Sequence, residues 1–246
     1  IGIDPGMHNI VQAVDPERPK STYGKVRYTL KERQKDLRSR QYCDEGKRGK
    51  HPTIQEGEEL LSRYNSRSVS LEMFLNYCRC RRCFLKQALQ FYGQLDHRRR
   101  RWKSGIKAQQ SEQKLYDRLK SLQNDSRPLI LAYGSWGLTS GKGFKGLPPC
   151  IGVGMVRKLA KRFVVVPTPE HYTSKTCVRC FSECGAHPTL KRNVKQHQKD
   201  GSIKVVQKEI RGLRVCQNES CKLFMNRDHA GACNIATNYS LLVQDK

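Results

Sequence analysis

Two pairs of cysteines constrain this chain more than any other feature of its sequence. Cys177-x-x-Cys180 and Cys216-Gln-Asn-Glu-Ser-Cys221 are separated by 35 residues that carry Gly201, Gly212 and short strand-like runs. Four thiolates suit a tetrahedral Zn²⁺ ion, and a two-knuckle ribbon lets a small β structure fold without an apolar core of its own. The second knuckle is wider than C-x-x-C, which makes the pattern less specific, and Cys184 or His187 could stand in for one ligand. The plain alternative is a group of buried thiols. The chain has 11 cysteines and no recognisable secretory leader, so metal ligation and reduced thiols fit better than a disulfide framework, in a reducing intracellular compartment.

Charge narrows the partners. There are 47 Lys and Arg against 22 Asp and Glu among 246 residues, a formal charge of +25. Such a chain repels itself when compact unless a polyanion neutralises it, so nucleic acid is the expected partner. The longest apolar runs, near Leu129 to Ala132 and Phe163 to Val166, are far shorter than the roughly 18 to 20 residues that span a bilayer. No membrane association is expected. A mean hydropathy of −0.73 concentrates any core in a few segments. The chain opens directly on the strand-like Ile1-Gly2-Ile3-Asp4, and we expect it to be part of a longer protein.

Ile1 to Asp4, Asn9 to Val14 and Thr22 to Leu30 read as three short strands punctuated by Pro5-Gly6 and Asp15-Pro16. Thr29-x-x-Glu32 is a capping box that announces a basic helix. Gly46 to Pro52 reads as a solvated loop. From Ser68 to Trp102 apolar residues recur every three or four positions, which predicts one long amphipathic helix, with a second helix near Ser111 to Leu122. Leu129 to Tyr133 has strand length, and a basic Gly-rich loop follows at Gly141 to Gly146. Pro148-Pro149 opens a helical pattern through Met155 and Leu159, and Phe163 to Val166 reads as a buried strand. This alternation predicts an α/β fold with a mixed sheet flanked by helices.

Two carboxylates stand out by position. Asp4 leaves the end of an apolar strand just before a tight turn, and Asp228 precedes a helix rich in small residues. Alone, the first reads equally as a turn former and the second as a helix N-cap. Converging, they would suit a hard divalent cation such as Mg²⁺.

Ile1-Gly-Ile-Asp-Pro-Gly6, Thr173-Ser-Lys-Thr-Cys-Val-Arg-Cys180 and Asn226-Arg-Asp228 followed by Asn234-Ile235 together resemble the RuvC-like nuclease half of TnpB-type RNA-guided endonucleases. The chain is most similar to their eukaryotic relatives, the Fanzor family, on the region from Pro52 to Trp102 and on Tyr133-Gly134-Ser135 as well. The resemblance implies an RNase H-like (RuvC) core over residues 1–174 with a helical insertion at about 31–122. It further implies a zinc-ribbon, target nucleic-acid-binding insertion over 175–224 and a return to the core over 225–246. Guide RNA, target DNA, a nuclear location and an N-terminal recognition half outside these residues are implied likewise.

The TnpB pattern places its second catalytic acid at the end of the strand that here reads Tyr133-Gly134-Ser135. No Asp or Glu occurs between Asp125 and Glu170, so Glu170, just past the next strand, is the first candidate. Adjacent strands lie about 4.8 Å apart, within the extra reach of a glutamate. A relocated glutamate is also what the Fanzor resemblance implies. The implied mechanism is phosphodiester hydrolysis with two Mg²⁺ ions, Asp4 bridging both and Glu170 and Asp228 each completing one shell. Alternatively Glu170 is a surface acid and the site is inactive.

Ten Lys and Arg lie between Cys78 and Lys107 against the single Asp96. Arg79, Arg82, Arg98, Arg99, Arg100, Arg101, Trp102 and Lys103 from this stretch are the candidate phosphate and base contacts, joined by Lys142, Lys145 and Lys175. A solvated helix face or a nuclear import signal would have the same composition. A second metal site at Cys78, Cys80 and Cys83 is not expected, because positions 78 and 80 point to different helix faces. Three functions remain: an RNA-guided endonuclease of transposon origin, an inactive nucleic-acid-binding derivative, and a DNA-joining transposase on the same fold.

Overall fold

Pro5-Gly6 lets the first strand turn straight back on itself. The computed structural model describes residues 1–6, 8–18, 24–123, 128–135, 153–197 and 202–244. In it β1 (Gly2–Asp4) pairs antiparallel with β2 (Asn9–Val14), Asp4 opposite Gln12, and the Gly6 N–H donates to the Asn9 carbonyl at 2.8 Å. β3 (Lys25–Thr29) pairs antiparallel with β2, and its buried Val26 and Tyr28 alternate with exposed residues as a half-buried strand requires. β4 (Ile130–Gly134) runs parallel to β1, and β5 (Val164–Thr168) parallel to β4. The sheet is therefore mixed, in the order β3-β2-β1-β4-β5. β5 is not the buried strand expected. It lies last in that order, Val164 is 53% exposed, and Pro167, which cannot donate to a ladder, is tolerated there.

The described residues divide into two compact units, residues 1–30 with 114–246, and residues 31–113. In the first, the sheet carries a different partner on each face. Ile3, Val11, Tyr28, Leu131 and Tyr133 form one core with Leu115 and Leu119 from the end of α5 (Leu95–Lys120) and Met155 and Leu159 of α6 (Val153–Leu159). Each such side chain contributes about 1.5–3 kcal/mol by leaving water. On the other face α7 (Arg227–Gln244) lies so close to β1 that a Cβ on Gly2 would sit 1.9 Å from the Ala232 carbonyl oxygen. The run Ala230-Gly-Ala-Cys-Asn-Ile-Ala236 is buried throughout, because only small side chains allow that approach.

In the second unit, Lys50 and Tyr92 both hydrogen-bond Glu58, joining α3 (Pro52–Ser62) to α4 (Leu71–Tyr92) beside the buried Ile54 and Phe91. Two expectations fail here. Gly46 to Pro52 is not one loop, since α2 (Ser39–Arg48) runs through its first half and α3 begins on Pro52, the favoured first helical residue. The long helix is broken at Gly93-Gln94 rather than after Trp102. Glycine is a weak helix residue, and a Cβ on Gly93 would lie 2.5 Å from the Leu89 carbonyl oxygen. The apolar period carries across the break, so periodicity alone could not reveal it. α1 (Leu30–Asp36) follows the capping box directly.

The segment between β5 and α7 forms a three-stranded sheet, β10-β9-β6, from β6 (Cys184–Gly185), β9 (Leu213–Cys216) and β10 (Phe224–Asn226). A separate antiparallel hairpin, β7 (Lys191–His197) with β8 (Ile203–Glu209), lies between β6 and β9 in the chain.

Candidate functional site

Because β1, β4 and β5 are parallel, their carboxyl ends share one edge of the sheet. Asp4 ends β1 and Glu170 follows β5 by two residues, so both stand at that edge. Side chains alternate along β1: Ile3 enters the core, while Gly2 and Asp4 face α7. A Cβ on Gly231 would lie 2.7 Å from Asp4 Oδ2, and this brings the first turn of α7, with Asp228, against the same spot. Burial first, and then the charges of Glu170 and Asp228, push the Asp4 carboxyl up to about 7, against a smaller opposing pull from Arg227. Glu170 and Asp228, both distant in sequence, thus bear on Asp4.

Gly134 explains how Glu170 fits. It ends β4 opposite Thr168, and a Cβ there would sit 1.9 Å from Glu170 Oε1. The position without its own carboxylate is thereby the space that the glutamate side chain occupies. Asp228 is not the cap of its helix: Asn226 Oδ1 accepts the His229 N–H at 3.0 Å. The Asp228 carboxylate instead accepts Asn9 Nδ2 at 2.5 Å, and Asn9 Oδ1 in turn accepts Arg27 Nε at 2.8 Å. Asn9 and Arg27 are residues that sequence reasoning missed, since a lone Asn opening a strand carries no signal of its partner. Among the described residues only the four cysteines form a group whose ligand atoms all lie within 4.8 Å of one another, so the three carboxylates do not close into one; their donor type, with one of them oriented by an amide, is that of a hard divalent cation.

The four knuckle cysteines cluster with all their sulfurs within 4.8 Å of one another. Cys177 Sγ lies 3.8 Å from Cys221 Sγ, and Cys180 Sγ lies 3.4 Å from Cys216 Sγ. A tetrahedron with Zn–S bonds of about 2.3 Å has sulfur edges of about 3.8 Å, so the site can hold a metal such as zinc. The wider second knuckle closes like the first. In each, the residue after the last cysteine is left-handed, Phe181 at φ 58° and Lys222 at φ 40°. Asn218 takes up the extra residues: its carbonyl accepts the Cys221 N–H at 3.0 Å, and its Nδ2 donates to Ser182 Oγ of the first knuckle at 3.3 Å. Hydrogen bonds from Ser182 hold the Cys180 thiol down at about 6, while burial pushes Cys216 up to about 12. Cys184 is buried beside the cluster without belonging to it. His187 Nδ1 accepts the Thr189 and Leu190 N–H groups at 3.2 and 2.9 Å.

The ribbon is tied to the acids through α7. Asn234 Nδ2 donates to the Thr173 and Thr176 carbonyls, both at 2.8 Å, just ahead of Cys177. Lys175 is exposed in the same turn, its Nζ 6.0 Å from the Tyr172 ring centre.

The basic residues of the second unit divide. Arg99, Arg100, Lys103 and Lys107 line a groove of about 790 Å³ together with Arg38 and Arg48, two cations not singled out from sequence. Arg79, Arg82, Arg98 and Arg101 are exposed outside it, and Trp102 is 68% exposed. Cys78, Cys80 and Cys83 join no metal cluster among the described residues. Lys142 and Lys145 lie outside the described residues. Among the described residues no helix is long and apolar enough to cross a membrane.

Residues 156–235 match the family model described as Cas12f1-like, TNB domain. That segment covers β5, the cysteine ribbon and the first half of α7. The match supports a relationship to the TnpB and Cas12 proteins, a nuclease-related group, and does not single out the Fanzor family. No curated protein matches the chain.

Proposed function

We propose that this chain is the nuclease part of an RNA-guided DNA endonuclease of the Fanzor kind. What supports the reading is that the charges of Glu170 and Asp228 both bear on the buried Asp4 at the end of β1, in a chain of which residues 156–235 match the Cas12f1-like, TNB domain model. The strand order, with three antiparallel strands followed by two parallel ones, is what an RNase H-like core requires, and so supports the RuvC assignment. In this reading residues 1–174 and 225–246 make the nuclease core, the helices at about 31–122 are an insertion, and 175–224 are a zinc ribbon for target nucleic acid. Guide RNA and target DNA are the partners, and the excess of cations serves their phosphates.

Asp4, Glu170 and Asp228 would hold the divalent ions. Mg²⁺ bound there supplies Lewis-acid activation of water and neutralises charge on the scissile phosphate. The chain's own residues prepare the place. Asp4 sheds its proton when the ions bind, Asn9 fixes the orientation of Asp228, and Gly134 clears the path of Glu170. Ser182 and Asn218 hold the two knuckles together, so that Zn²⁺ on the four thiolates fastens the ribbon next to α7.

The test is plasmid cleavage with Mg²⁺ by the protein purified with its co-expressed RNA, comparing wild type with Asp4→Asn and Glu170→Gln. Cutting by wild type and loss of cutting with retained RNA binding in both variants is the expected result. Cleavage unaffected by Glu170→Gln would remove the glutamate from the site. Binding of RNA and DNA without any cutting would leave a nucleic-acid-binding module, and joined products would point to a transposase.

A further inference from the structure

Among the described residues, four that are not glycine have a left-handed backbone. Phe181 and Lys222 close the two cysteine knuckles, and Arg38 precedes α2. The fourth is Tyr172 at φ 58°, two residues past Glu170. A bulky side chain is disfavoured in that conformation, which glycine and asparagine adopt more readily. Burial does not offset the cost, because Tyr172 is 63% exposed. The turn is held from outside instead. The Glu170 carbonyl accepts the Thr173 N–H at 3.2 Å, and the Tyr172 carbonyl accepts the Lys175 N–H at 2.8 Å and Thr176 Oγ1 at 3.1 Å. From α7, Asn238 Nδ2 donates to the Pro169 carbonyl at 3.2 Å, and Asn234 Nδ2 to those of Thr173 and Thr176. A strained residue that adds nothing to the core, yet is fixed this firmly by its surroundings, points to a use for its side chain.

The chemistry of the ring narrows that use. His171 lies edge-on to it at 4.2 Å between centres, and Lys175 Nζ is 6.0 Å from its centre. An exposed aromatic ring beside a cation suits an unpaired nucleobase and the phosphate that comes with it. A base inside a duplex is already stacked on its neighbours and offers only its edges. The helix that pins this turn also carries Asp228, so ring and acid share one frame. We infer that Tyr172 is a stacking platform for a base of unpaired DNA and positions the strand beside Glu170. The inference rests on the nuclease reading and adds to it the form of the substrate at the site, a single strand.

The test uses the full zinc-loaded chain without Mg²⁺ and a short DNA strand carrying iodouracil, irradiated alone or annealed to its complement, with the crosslinked peptide identified by mass spectrometry. The single strand should crosslink at Tyr172, and the duplex should not. Tyr172→Phe keeps the ring and should keep affinity for the single strand. Tyr172→Gly should lower that affinity by about tenfold and leave duplex affinity as it was. Its melting temperature should equal or exceed that of wild type, since glycine relieves the backbone. A merely structural tyrosine would give the opposite sign, a lower melting temperature, and that result would overturn the inference. So would crosslinks that avoid Tyr172, equal crosslinking of the duplex there, or unchanged single-strand affinity in Tyr172→Gly. None of these readouts needs cutting, so an absence of plasmid cleavage removes the nuclease reading separately from the stacking role.

Discussion

The four cysteines, which can hold a metal such as zinc, and the three carboxylates, which we propose hold divalent ions, belong to the same unit yet are built in opposite ways. The sulfurs come from two knuckles within a span of 45 residues and close on one another without help from the sheet. The carboxylates come from positions 4, 170 and 228, and Glu170 and Asp228 bear on Asp4 only if β1, β5 and α7 all take their places. A site assembled locally can fasten a fold. A site assembled from the whole chain depends on that fold and reports on it.

The largest effect should come from breaking the local site. Structural zinc contributes on the order of 10–16 kcal/mol in small metal domains. Stripping the metal, or replacing Cys216 by Ser, should therefore abolish amide-exchange protection across residues 175–224. The sheet core around Ile3 and Leu131 should keep its protection. Equal loss in both regions would mean that the ribbon is not an independent fastening.

Next comes the electrostatic cost of the assembled site. Asp4 titrates near 3.8 when unfolded and near 7 when folded, so between these values the native state holds a proton that the unfolded state releases. The zinc-loaded, magnesium-free protein should lose stability as pH rises from about 4 to about 7 and level off above. Asp4→Asn should flatten that part of the profile, as measured by urea unfolding at several pH values. Divalent ions should bind more weakly as pH falls below 7, with uptake of a proton on their release.

Smaller changes sharpen the geometry. Gly134→Ala puts a methyl group where Glu170 Oε1 lies, and should cost about 1–3 kcal/mol in thermal unfolding while pushing cleavage toward the level of Glu170→Gln. Asn9→Ala removes only the amide that orients Asp228, and should weaken divalent-ion affinity by about tenfold with little change in fold stability.

The cysteine cluster was legible from spacing because metal chemistry tolerates few alternatives to four thiolates at two knuckles. Asp4 and Asp228 could be picked because each sits at the end of an element, and Glu170 because it is the first acid after a long stretch without one. What linked them could not be read. Asn9 acts on a residue 219 positions away, and Gly134 matters for the side chain it lacks. Strand order was legible only as far as local alternation reaches: the apolar run at β5 was expected to be a buried strand, and it is found at the end of the strand order, half exposed. The helix break at Gly93 escaped because the apolar period continues through it, and the strands between the cysteine pairs were legible only as short strand-like runs, their pairing being hidden.

Mn²⁺ titration followed by electron paramagnetic resonance, on the zinc-loaded chain, tests most directly whether three distant acids make one site. Wild type should take up Mn²⁺ at neutral pH, and Asp4→Asn, Glu170→Gln and Asp228→Asn should each lose affinity by about tenfold or more. Retention of wild-type binding by Glu170→Gln would contradict the account, because the acid beyond β5 would then be outside the site that the other two form.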